Sequence, residues 1–153
     1  MTDERIEVQR IIKADQGAIF LLLCDPQGHV AIDSSGMLMS ADGEPVTAAG
    51  QRFVVHMDRE SLNDRPLGKY DVTVTITTFV ANQEIAWGIG APGQAPLGYV
   101  YGYRLEPDAD GTLVTSYYDW SGGPQEWKDA GVFPIISEAA LRASLGILAR
   151  TVS

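Results

Sequence analysis

Residues 133–152 read FPIISEAALRASLGILARTV, and this stretch decides the fold. Beyond its opening it holds no proline and one glycine, and Leu141, Leu145, Leu148 and Val152 recur at the spacing of one helix face. Ser137 suits the N-cap, Glu138 meets the positive end of the helix dipole and Arg150 its negative end. At about 100° per residue, Ala140, Ala143 and Ile147 form a second apolar stripe, with Arg142, Gly146 and Arg150 on the far side. The stretch therefore predicts one long helix with a broad buried face. Ser144 and Thr151 fall between the stripes. The plainer reading has each hydroxyl bonding back to the carbonyl four residues earlier; the functional reading has the helix closing a cavity, with the hydroxyls facing whatever fills it.

Such a helix needs a sheet to cover, and the chain before it supplies one. Between Gly36 and Gly122 the pattern is period two, broken by turn residues, with strands expected near Met37 to Ser40, Val46 to Ala48, Gln51 to Asp58, Lys69 to Val80, Glu84 to Gly90, Leu97 to Glu106 and Thr112 to Ser121. Tyr70, Val72, Val74 and Ile76 alternate with Asp71 and threonines, so the first set should face the helix. Ile85, Trp87 and Ile89, and likewise Phe53, Val55 and Met57, form the bulky sets of their strands. The turn Asp108-Ala109-Asp110-Gly111 sets the last hairpin, pairing Leu105 with Val114, Tyr103 with Ser116, Tyr101 with Tyr118 and Tyr99 with Trp120. The opposite face is more polar, so the aromatic ladder should point inward. Buried phenols need hydroxyl partners, which implies water, polar helix groups or a ligand.

Ahead of the strands, a segment holding Ile6, Val8, Ile11 and Ile12 reads as a first strand ending at Lys13. Asp15 can cap one short helix, and Asp25 followed by Pro26 starts a second. Consecutive strands with one late helix make an α+β layout of one domain spanning residues 1–153.

The net charge of -9 disfavours nucleic acid and anionic lipid surfaces, which attract clustered Lys and Arg. No apolar run approaches the roughly 20 residues of a membrane span, and MTDERIEVQR lacks a signal-peptide layout, so a cytoplasmic location without membrane insertion is expected. The single cysteine, Cys24, reads as a buried hydrophobe.

Three segments carry a resemblance. The opening IEVQRIIKADQGAIFLLLCDPQGHVAID, the later LEPDADGTLVTSYYDWSG and the closing FPIISEAALRASLGILA resemble the polyketide cyclase/dehydrase branch of the START-like (SRPBCC) superfamily. The resemblance covers nearly the whole chain; apart from DPQGH and DGTLV it rests on diffuse hydrophobic patterns. It implies a helix-grip fold, with a curved antiparallel sheet of about six to seven strands wrapped round the C-terminal helix over a deep apolar cavity. It also implies binding of lipids, sterols, hormones or polyketides, and in some members cyclisation or dehydration. It transfers no catalytic residue.

Other motifs carry less. Gly88 to Gly93 spells GxGxxG, but a strand rather than a helix follows it, so a flexible loop is expected, one that could gate the cavity. His29 and His56 are the only histidines, and neither reads as a metal ligand; His29 reads as structural, and His56 as part of an exposed polar row or, less simply, as a general base. No cofactor is implied, and no GxSxG elbow exists.

The leading expectation is a hydrophobic, ring-containing small molecule bound in a cavity lined by Tyr70, Trp87, Tyr99, Tyr101, Tyr103, Tyr118, Trp120 and Ser144. An aromatase/cyclase-like enzyme using the same phenols is the alternative, although nothing in the sequence demands catalysis. A third reading is a protein-interaction module with a filled interior. An exposed apolar strip on the sheet would favour a homodimer or partner surface.

Overall fold

The computed structural model describes residues 4–60 and 68–152. β1 (Arg5–Ile12) leads into α1 (Gln16–Cys24) and α2 (Pro26–Ile32). Then follow β2 (Leu38–Asp42), β3 (Arg52–Asp58), β4 (Lys69–Val80), β5 (Glu84–Gly90), β6 (Val100–Asp108) and β7 (Gly111–Asp119). A short α3 (Gln125–Asp129) precedes α4 (Glu138–Val152). The seven strands form one curved antiparallel sheet in the order β1-β7-β6-β5-β4-β3-β2, a meander in which the first strand returns to pair with the last. The fold is the expected α+β helix-grip.

Local chemistry explains the elements. Asp15 accepts from Ala18 N–H to start α1, and Asp25 accepts from Gln27 N–H to start α2, with Pro26 in the first turn where its missing N–H costs nothing. Ser137 Oγ accepts from Ala140 N–H at 3.1 Å and caps α4. Leu141, Leu145 and Leu148 of α4 are buried, and the helix packs on β1, β7 and α2. Burying each of the latter two leucines contributes about 2 kcal/mol.

The last hairpin has the expected register, Leu105 opposite Val114, Tyr103 opposite Ser116 and Tyr101 opposite Tyr118. Gly111 makes its turn at φ 137°, and a Cβ there would sit 2.1 Å from the Ile12 carbonyl oxygen. In β4, Val74 and Ile76 face the core, and a bulge between Ile76 and Thr78 resets the alternation. Beyond the bulge Phe79 meets Phe20 of α1 edge to face at 5.3 Å.

Three expectations differ from the structure. Residues 46–48 form no strand: Val46 N–H donates to the Cys24 carbonyl and its side chain plugs the core, while Pro45 beside it brings no N–H to a ladder. β6 starts at Val100 rather than Leu97, because Leu97 N–H is still spent on the Ile89 carbonyl. α3 was not expected; it follows Pro124 and buries none of its residues fully, so it lacks an apolar periodicity to announce it.

Candidate functional site

Between the sheet and the helices lies a cavity of about 770 Å³. That is far larger than the voids left in a packed core and falls within the range of small-molecule sites. Strands β3 to β6 with part of β7 form one wall, and the α2–β2 turn, the α3–α4 connection and the first half of α4 form the other. The wall surface is predominantly apolar and aromatic.

Five of the proposed aromatic residues line this space: Tyr70, Trp87, Tyr99, Tyr101 and Tyr103. Ser144 lines it from α4. Trp87 stacks on Tyr101 and Tyr103, with ring centroids 6.5 and 5.9 Å away, so a flat aromatic surface spans two strands. Tyr118 and Trp120 point inward but are not on the cavity wall. Tyr118 is fully buried, stacked on Tyr101 at 4.3 Å, and Trp120 stacks with Phe133 of the α3–α4 connection. Tyr118 lies on β7 and Trp120 just beyond it, and both are packed into the core against these rings.

The phenols are held in a defined way. Tyr118 Oη accepts from Ile135 N–H at 3.1 Å and from the Tyr101 hydroxyl, tying the α3–α4 connection to the sheet. Burial pushes the Tyr99 and Tyr101 hydroxyls up, and the neighbouring phenols push them further. Burial also takes Tyr103 up to about 12, against a hydrogen bond from Ser116 that acts the other way. All three stay protonated near neutral pH.

Several wall residues were not foreseen. His29 lines the cavity with its ring 4.4 Å from Trp87 and 5.1 Å from Phe53. Its Nε2–H donates to the Leu23 carbonyl at 2.7 Å, and burial drives its pKa down to about 4, so the ring is neutral. The structural reading of His29 accounts for that bond; its place on the wall goes beyond it. Asp33, Ser34 and Arg59 join it there, Arg59 with Nη1 against Met37 Sδ. The spacing of His29 and Asp33, one helical turn apart, was the available signal.

The two inward hydroxyls of the last helix part company. Thr151 is exposed and bonds back to the Ile147 carbonyl at 2.7 Å, the plainer reading. Ser144 bonds Ser34 Oγ at 3.0 Å, and Ser34 in turn donates to the Ala140 carbonyl at 2.6 Å, the very acceptor Ser144 would otherwise have used.

His56 stands outside the cavity, between Asp42 and Asp71 at 2.6 and 2.7 Å, so the general-base reading fails for want of access. The GxGxxG segment is tied down rather than loose: Gly93 N–H donates to Thr73 Oγ1 and Leu97 N–H to Ile89 O, and its Ala91, Pro92 and Leu97 edge the cavity. Asp25 and Asp33 flank His29 at four residues on either side, but Asp25 caps α2 and Asp33 accepts from three backbone N–H groups and a hydroxyl. Among the described residues no three His, Cys, Asp or Glu side chains could hold a metal. No helix among them is long and apolar enough to cross a membrane.

No family model and no curated protein matches the chain. Solved structures do. Protein CV1439 from Chromobacterium violaceum superposes with a TM-score of 0.67 at 14% identity, covering 97% of this chain and 97% of that one. The AHSA1-like protein from Aeromonas hydrophila gives 0.59 at 19% identity, over 95% and 90% of the two chains. The Aha1 dimer from Colwellia psychrerythraea gives 0.60 at 16% identity, over 99% and 96%. At these identities what is shared is architecture, and the chain has the START-like helix-grip fold over nearly its full length.

Proposed function

We propose that this protein binds a hydrophobic, ring-containing small molecule, lipid- or polyketide-like, in the internal cavity. The observation that carries the reading is the cavity itself, about 770 Å³ behind an aromatic wall. A protein-interaction module would more simply fill that space, so the open volume favours a ligand. The DPQGH and DGTLV segments support the polyketide-related branch of the superfamily.

Binding is favoured over aromatase/cyclase chemistry by the state of the polar groups. An acid–base catalyst works best with a pKa near the operating pH. Burial moves the cavity phenols upward and His29 down to about 4, away from neutrality in both directions. These groups orient a ligand better than they exchange protons with it.

Native mass spectrometry of the purified protein, followed by organic extraction, tests this. A co-purifying hydrophobic molecule is the expected result. A clean apo mass, combined with no change in pyrene fluorescence on titration with the protein, would sink the binding reading.

A homodimer is a separate proposal, supported by the Colwellia neighbour, which is described as a dimer. Among the described residues the large exposed apolar side chains, Ile11, Leu21, Met39, Val80 and Leu97, fall on different elements and form no row along the sheet. Light scattering decides it, a dimer giving twice 16.5 kDa.

A further inference from the structure

The two walls of the cavity differ in hydrogen-bond character, and the bonds already made inside the protein fix the difference. On the helix wall, Ser34 Oγ lies 2.6 Å from the Ala140 carbonyl, which can only accept, so the Ser34 proton is committed there. Ser144 must then be the donor in its 3.0 Å bond to Ser34, which leaves Ser144 Oγ with lone pairs alone. His29 gives its one N–H to the Leu23 carbonyl, so Nδ1 carries a bare lone pair. Ser35 donates its hydroxyl to Asp33, and the backbone N–H groups of Ser35, Gly36 and Leu38 go to the same carboxylate, while that of Met37 goes to Ser35 Oγ. This wall therefore offers acceptors and has turned its donors inward to the protein.

The phenols of the sheet wall supply donors. The Tyr99 and Tyr103 hydroxyls stand on this wall, and burial keeps both protonated, so each has a proton to give.

Resting on the binding reading above, we infer that the ligand carries a hydroxyl directed at Ser144, Ser34 and His29, and an oxygen acceptor directed at the phenols of the opposite wall. A carbonyl facing the helix wall would leave buried acceptors confronting one another. An ammonium there would satisfy them, but at the cost of a charge placed in a mostly apolar space. A hydroxyl on a ring satisfies them without that penalty.

Three probes of one shape separate the outcomes: pyrene, 1-hydroxypyrene and pyrene-1-carbaldehyde, each titrated by fluorescence against the full chain. The expected result is 1-hydroxypyrene binding about tenfold more tightly than pyrene. Ser144→Ala should remove most of that preference. Equal affinities for pyrene and 1-hydroxypyrene, or a preference that Ser144→Ala leaves intact, overturn the hydroxyl assignment while the cavity still stands as a binding site. Failure of all three to bind overturns the binding reading and this inference with it. Should Ser144→Ala not fold, the ratio in the unaltered protein decides alone.

Discussion

His29 and His56 occupy opposite environments, and the difference is measurable one residue at a time. His29 is 7% exposed, and burial lowers its pKa from 6.5 to about 4. His56 sits at the surface, where hydrogen bonds to Asp42 and then Asp71 raise it. For His29 the unfolded chain takes up a proton between about pH 6.5 and 4 while the folded one does not, so stability falls as pH drops through that window, by about 3 kcal/mol in total. For His56 the sign reverses: its contribution is complete below pH 6.5 and is lost as pH rises through its raised folded value. Because these are the only two histidines, an NMR titration of the ring C–H signals reads both, with one expected to move only in acid and the other above 6.5. A His29 signal titrating near 6.5 would contradict its burial. Gly102 supplies a second single-residue case. A Cβ there would lie 2.3 Å from the Tyr117 ring, which is clasped by Arg5 and Arg104 at 4.5 and 5.4 Å and donates its hydroxyl to Glu84. Gly102→Ala should cost about 1–3 kcal/mol in urea unfolding.

Among the elements, α4 and the β6–β7 hairpin were the most legible, because each is specified by local chemistry. Ser137, the leucine spacing and Arg150 mark the helix, and Asp108 to Gly111 fix the register, so neither needs distant residues to be read. The segment at Val46 was misleading for the opposite reason. Its one buried side chain answers to the Cys24 carbonyl and the core, a tertiary contact that no local pattern encodes. The helix also makes a paired prediction. Leu148→Ala removes a fully buried side chain and should cost about 2–5 kcal/mol. Gly146→Ala, two residues away, places a Cβ that meets only the Arg10 guanidinium at 3.7 Å and should stabilise by about 0.5–1 kcal/mol. Thermal unfolding of both variants separates the covered face from the open one; equal effects would mean that the helix is docked differently.

For the whole molecule, strand parity told which side chains point inward but not what lies above them. Tyr101 and Tyr118 share a face and a register position, yet one borders the cavity and the other is sealed, because the α3–α4 connection lies on Tyr118 and bonds its hydroxyl through Ile135 N–H. The position of the helix across the sheet is a property of the assembled fold, and so is the contribution of His29, Asp33 and Ser34 from the far wall. A cavity of this size makes a distinctive prediction. In a packed core, Ser144→Trp would overpack and cost about 1–3 kcal/mol or more. Here the indole has about 770 Å³ to enter, so the expected change in unfolding free energy is within about 1 kcal/mol, even with the Ser34 bond lost. The same substitution should weaken 1-hydroxypyrene binding more than tenfold. In the unaltered protein, ligand at 100 times its Kd should add about 2.7 kcal/mol of stability, and in Ser144→Trp that gain should largely vanish. A variant that is strongly destabilised yet still binds the probe would mean that the helix wall abuts packed side chains and that the ligand sits elsewhere.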